Sequence, residues 1–461
     1  MNRTQDGVKI TERLLSEIWS CQLLKHDDLL TAEGRKLWVI HPGMRNSDSG
    51  PDFLDAVLFI DGIGMLRGDV ELHVEARDWR AHGHHRDRNY DGVILHVVMW
   101  EGACSPIGFL RSGRRIDILP LHCCLKKPVQ EMQVTMQQTA FLARPCASAL
   151  EILGEETLAS VFDEAGERRF IIKAERFETE LAIREPREVL YEGFMVALGY
   201  TKNKESFREF ARRLPLSSVE MLARETNAQG RLLLIQALLL GAAGMLPGQR
   251  HMPMSDVWEE ALEHSWPQIA GGQGMTINQW RLFRVRPENH PVRRLAGASY
   301  LLAKYHEEGF LESMLKFVCQ ACLQGGWRKL EDSLIVPAQG YWSKHFDFGI
   351  PAGSRRSLIG RGRAREIVIN VLLPFFFAWA RIARTPWLGK HVLEIYEQYP
   401  RQEENWITRY MQNQIFCQKR SDVVDSARRQ QGLIHLHRKL CAELQCIHCP
   451  LCDKTLFEAC A

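Results

Sequence analysis

No run in this sequence is both apolar enough and long enough to cross a bilayer. The two strongest candidates are residues 232–246, interrupted by Gln236, and residues 367–380, which carry Asn370 and Pro374. Both fall short of the ~20 residues that a span needs, so they are expected to be buried helices, with no membrane partner. An apolar leader is missing from the opening MNRTQDGVKITERLL, so cytoplasmic residence is expected. Charge of one sign is not in excess. The 59 Lys and Arg nearly cancel the 56 Asp and Glu, and a net charge of +3 supplies no global field for a polyanion. Only local basic patches could serve one. No fixed period recurs, which excludes a solenoid.

What is present is an ordinary globular composition, 45% hydrophobic, in a chain long enough for more than one domain. Cysteine is the exception. Five of the thirteen fall near the end, at Cys441, Cys446, Cys449, Cys452 and Cys460. Crowded cysteines in a chain of this class point to metal binding rather than a disulfide scaffold.

The first third alternates between periods. Thr11 is an N-cap candidate for a helix whose apolar stripe is Leu14, Leu15, Ile18 and Trp19. Strands are expected at 36–40, 53–61 and 66–75, the last two joined through Gly62 and Gly64. A His-rich passage, AHGHHRDRNYDG, reads as a short helix plus loop. Residues 93–100 (VILHVVMW) then form a strand apolar on both faces, and 115–119 offer a further one. From about residue 148 the pattern is helical. The expected fold is α+β: a mixed α/β domain at 1–130, an α-helical domain at 148–430, and a Cys-rich tail at 431–461.

Asp52 and Glu71 lie at the entrance to one strand and inside the next. A hairpin between them would return Glu71 to Asp52, and two carboxylates so placed suit Mg²⁺ or Mn²⁺. Capping of a turn by Asp52 and solvation of Glu71 is the plainer alternative. The layout resembles the PD-(D/E)XK nuclease superfamily, whose core is αβββαβ. Pro51-Asp52 matches the first half of its motif and Glu71-Leu72-His73 the second, with histidine where lysine is usual. The resemblance implies a restriction-endonuclease-like core with Asp52, Glu71 and His73 as the catalytic set. Glu17 would be the further acidic residue of the preceding helix. His82, His84 and Asp87 are expected to support the site as ligands or bases, and His96 to be a satisfied core histidine.

Cys441-x₄-Cys446-x₂-Cys449-x₂-Cys452 has the spacing of a zinc or iron–sulfur site, with Cys460, Cys417, His437 or His448 as alternative ligands. Arg361, Arg363 and Arg365 ahead of an apolar helix, and Arg293 in a second basic patch, are candidates for nucleic-acid phosphate.

Longer stretches carry a second resemblance. HPGMRNSDSGPDFLDA, GDVELHVEARDW, YEGFMVALGYTKN, RPENHPVRRLA, INVLLPFFFAWA and QGLIHLHRKLCAELQCIHC are similar to a bacterial family, domain of unknown function 2851. That resemblance brings no activity with it. The expected function is therefore argued from the carboxylates: metal-dependent phosphodiester hydrolysis of DNA or RNA. The alternatives are an inactive nuclease-fold nucleic-acid binder, or an interaction protein with a helical platform.

Overall fold

The computed structural model describes the chain except residues 1–3, 6–7, 21, 26–28, 47–48, 103–107, 127, 130–145, 147–148, 270–273, 283–284, 325, 353–356, 417–420, 444 and 453–461. It forms two compact units. The first comprises Met1–Ile152, Asn413–Lys419 and Ala442–Ala461; the second comprises Leu153–Gln412 and Arg420–Cys441. Within the expected Cys-rich tail, residues 431–441 fall in the second unit and the described residues from Ala442 on in the first.

The first unit is built on a mixed seven-stranded sheet. Helix α1 (Glu12–Ser20) precedes β1 (Leu37–His41), β2 (Phe53–Ile60) and β3 (Gly64–Glu75). Helix α2 (Asp78–Ala81) and two 3₁₀ turns lead to β4 (Val93–Trp100), and β5 (Arg115–Pro120) follows. These strands lie side by side in chain order, with short strands Met44–Arg45 and Gly108–Phe109 pairing on β2 and β5. β1–β2 and β2–β3 are antiparallel; β3–β4 and β4–β5 are parallel. Gly62 and Gly64, both at positive φ (78° and 98°), close the tight β2–β3 hairpin that side chains would strain.

Thr11 Oγ1 accepts from Leu14 N–H at 3.2 Å and starts α1 as an N-cap. The helix buries Leu14, Leu15, Ile18 and Trp19 in one core with Leu58, Val70, Leu72, Leu95 and Val97. Because side chains alternate along a strand, Val70 and Leu72 on this face put Glu71 and His73 on the other. Glu71 is in register with His96 of β4, so that residue shares their face. β4 is buried along nearly all of its length, as its apolar run requires for a strand paired on both edges.

The second unit is helical around one large core. Its first helix follows a break at Gly154 (φ 73°, ψ 166°) and runs on to Leu181. The two long apolar runs are core helices, and the side-chain oxygens of their polar interruptions accept bonds there. Gln236 Oε1 accepts from the indole N–H groups of Trp258 and Trp342, each at 3.2 Å. Asn370 Oδ1 accepts from Lys173 Nζ at 2.6 Å. Pro374 lacks an N–H, and the turn ahead of it widens to π geometry over Val368–Leu372. No described helix is long and apolar enough to cross a membrane.

Candidate metal centre

The site begins with a reciprocal clamp between β2 and β3. Asp52 N–H donates to Glu71 Oε2 at 3.0 Å, and Leu72 N–H donates to Asp52 Oδ2 at 3.1 Å. The ladder shifts register just beyond it, between Phe53 and Ala56, where Asp55 takes a left-handed φ of 57°. The carboxylates therefore continue the link between the strands past Phe53 and Val70, the last pair of the ladder. The sheet also fixes where Glu71 Oε1 points: away from α1, into the face shared with the histidines.

Glu71 is 5% exposed. Burial first, and then the neighbouring Asp52 and Glu12 carboxyls, lift its pKa to about 9, against the pull of the Asp52 N–H bond. Asp52 is raised too, chiefly by burial, with its bond from Leu72 acting in the opposite sense. Two crowded carboxyls held out of water are poised for a cation.

Imidazoles complete the face. His73 Nδ1 lies 2.9 Å from His96 Nε2, and His73 Nε2 lies 3.0 Å from His82 Nδ1, one nitrogen of each pair donating. Glu71 Oε1 is 3.3 Å from His84 Nε2 and 3.6 Å from His73 Nε2. The ligand atoms of His73, His82 and His84 all fall within 4.8 Å of one another. Burial is the first cause that holds His73, His84 and His96 down, to pKa values of about 2, 4 and 3, with neighbouring histidines adding to it. They are neutral near pH 7, the form in which imidazole binds a metal. His84 Nε2 is buried with no hydrogen-bond partner despite its closeness to Glu71, and His96 Nδ1 is likewise unsatisfied. An orphaned nitrogen aimed at a carboxylate oxygen, in a nest of neutral imidazoles, fits an ion between them.

Local structure explains how the ligands are held. Gly83 at φ 78° lets the chain turn sharply from α2 into the 3₁₀ turn that carries His84. Trp79, 1% exposed, anchors that passage by donating from Nε1 to the Phe109 carbonyl at 3.1 Å. His84 packs against Tyr90 with ring centroids 3.9 Å apart. His82 is the exposed member.

Other candidates fall elsewhere. Glu17 is half-exposed and pairs with Arg13, 3.4 Å away on its own helix. The acidic residue of α1 that acts on the site is Glu12, which interacts electrostatically with His82 and Asp52. Its signal was its place in the first turn of the helix. Asp87 acts on the cluster through its charge alone, opposing the lowering of the His84 pKa. It is exposed and caps its own turn, accepting from Asn89 N–H at 2.9 Å. His96, read as a core histidine, is indeed buried, but its partner is His73.

The basic candidates are engaged inside the second unit. Arg361 and Arg365 hold the buried Glu331 at 2.9 and 3.2 Å. Arg363 donates to the Ala197 carbonyl and lies 3.1 Å from the ring centroid of Tyr200. Arg293, 3% exposed, donates to the His345 carbonyl at 2.8 Å. Of the cysteines, Cys441 is in the second unit with its thiol 3.8 Å from Met411 Sδ, whereas Cys446, Cys449 and Cys452 are in the first. His437 also belongs to the second unit. Cys417 and Cys460 lie outside the described residues.

Comparison with known proteins places the chain. Residues 12–405 match the model of the family described as "Protein of unknown function (DUF2851)", and the chain belongs to that family. No curated protein and no solved structure matches it.

Proposed function

We propose that this member of a family without an assigned activity is a metal-dependent phosphodiesterase acting on DNA or RNA, with a nuclease-like site at Glu71. The reading is carried by one observation: Glu71 Oε1 faces the nitrogens of His73 and His84 beside Asp52. The order helix, three strands, helix, strand around that point supports likeness to the PD-(D/E)XK core. An ion there would polarise a scissile phosphate and lower the pKa of an attacking water. The mixed oxygen and nitrogen donor set favours Mn²⁺ or Zn²⁺ over Mg²⁺, which prefers oxygen alone.

In this reading Glu71 and Asp52 supply negative charge, and His73 and His84 supply neutral nitrogen. His73 cannot replace the ammonium of a lysine, because it is 1% exposed and stays neutral. It would instead be a ligand through Nε2, with Nδ1 held by His96, and an ion bound there would take the place of its present bond to His82. His82, the exposed member, is the group placed to take a proton from incoming water.

The test is cleavage of single-stranded, duplex and branched DNA and RNA with Mn²⁺, Zn²⁺ or Mg²⁺ in turn. Asp52→Asn and Glu71→Gln should each lower the rate at least ~100-fold. A wild-type protein that binds metal at this site and cuts none of these substrates would overturn the enzyme reading. Salt-dependent binding without cutting would then mark an inactive nucleic-acid binder. Neither binding nor cutting would mark an interaction protein.

A further inference from the structure

Three thiols of the first unit sit on two consecutive tight turns near the end of the chain. Cys449 N–H donates to the Cys446 carbonyl at 2.9 Å, and Cys452 N–H donates to the Cys449 carbonyl at 3.2 Å. The Cys-x₂-Cys-x₂-Cys spacing and this winding gather the three side chains on one side. A fourth comes from far upstream. Cys146, 3% exposed, lies with them, and the Cys452 thiol is within hydrogen-bonding reach of Cys146, Cys446 and Cys449 alike. None of the four is in a disulfide.

We infer that Cys146, Cys446, Cys449 and Cys452 bind one thiophilic metal centre, a zinc ion or an iron–sulfur cluster, which fastens the chain end into the first unit. Thiolate is the ligand chemistry shared by both, and four sulfurs complete the usual ligand set of either. Three clustered cysteines plus one remote cysteine make the link a staple across the sequence. The remote ligand is neither Cys441, which lies in the second unit, nor a histidine of the tail.

An independent contact agrees. Gln414, 7% exposed, donates from Nε2 to Cys146 Sγ at 3.0 Å, the kind of outer-shell bond that orients and stabilises a metal-bound sulfur. This inference does not rest on hydrolysis at Glu71, and its test does not use activity.

The experiment is elemental analysis and visible absorption of the full chain purified without oxygen or chelator. In Glu71→Gln, whose carboxylate site is disabled, zinc binding predicts one colourless zinc per chain; a cluster predicts about four irons with sulfide and a brown charge-transfer absorption. In that background Cys146→Ser should lose the metal as completely as Cys449→Ser, whereas Cys441→Ser should retain it. Should the cysteine variants fail to fold, sulfur coordination is read on Glu71→Gln by X-ray absorption at the metal edge. Four sulfur neighbours per metal support the site. Metal-free protein, retention of metal by Cys146→Ser, or a sulfur-poor shell would overturn it.

Discussion

Glu71 Oε1 lies 3.3 Å from His84 Nε2, inside the protein, in a contact that lacks hydrogen-bond geometry. The contact joins β3 to the turn after α2. Its members have opposite shifts: the carboxyl is pushed towards its neutral form, and so is the imidazole. Neither therefore serves the other as a counter-ion near neutral pH. A cation bound between them would change that balance.

The alkaline limb of stability should expose Glu71. Its folded pKa, about 9, stands above the ordinary 4.5, so the folded state holds a proton that the unfolded state gives up. Stability from this group is intact below the ordinary value and is lost as pH rises towards the folded one. Metal-free wild type should thus melt lower at pH 8 than at pH 6, with Glu71→Gln flatter across that window. Added Mn²⁺ should raise the wild-type melting temperature and leave Glu71→Gln unmoved. Thermal unfolding with and without chelator reads both effects.

The acid limb should belong to the histidines. His73, His84 and His96 have folded pKa values of about 2, 4 and 3, below the ordinary 6.5. The unfolded chain takes protons first, so their contribution favours folding above pH 6.5 and is lost as pH falls towards the folded values. Urea unfolding at pH 5 and pH 7 should show a smaller difference in His84→Ala than in wild type.

His96 should act through His73. Its Nε2 fixes the His73 ring from 2.9 Å. His96→Leu should weaken Mn²⁺ or Zn²⁺ binding about 10- to 100-fold, as loss of an outer-shell partner does. His96→Gln, which can still hydrogen-bond, should recover part of that loss in a calorimetric titration.

Glu12 and Glu17 should separate cleanly. Glu12 adds to the negative field that raises Glu71, while Glu17 is bound to Arg13 on the exposed side of α1. Glu12→Gln should lower the pH at which metal begins to bind, because Glu71 then ionises more readily. Glu17→Gln should leave that midpoint unchanged. An identical shift in both variants would count against the assignment.

The local parts of this architecture were legible because each depends on near neighbours. Thr11 ahead of Leu14 marks a helix start, Gly62 and Gly64 mark a hairpin, and the apolar run of β4 marks a central strand. Even the alternation of Val70, Glu71, Leu72 and His73 tells which residues share a face. Placement relative to distant neighbours is of another kind. Glu17 and Glu12 are both acidic and both on α1, and only the packing of that helix against the sheet separates them. Asp87 sits among the histidines in sequence but caps its own turn.

Sequence alone determined the element types, the pairing of Asp52 with Glu71 across a hairpin, and family membership, because spacing and periodicity are properties of short range. Tertiary structure alone decided which distant groups meet. It set His96 behind His73, engaged Arg293 and Arg363 inside the helical unit, and brought Cys146 to the three cysteines near the chain end. Those encounters follow from how sheet register and helix packing close long loops, and no local pattern records them.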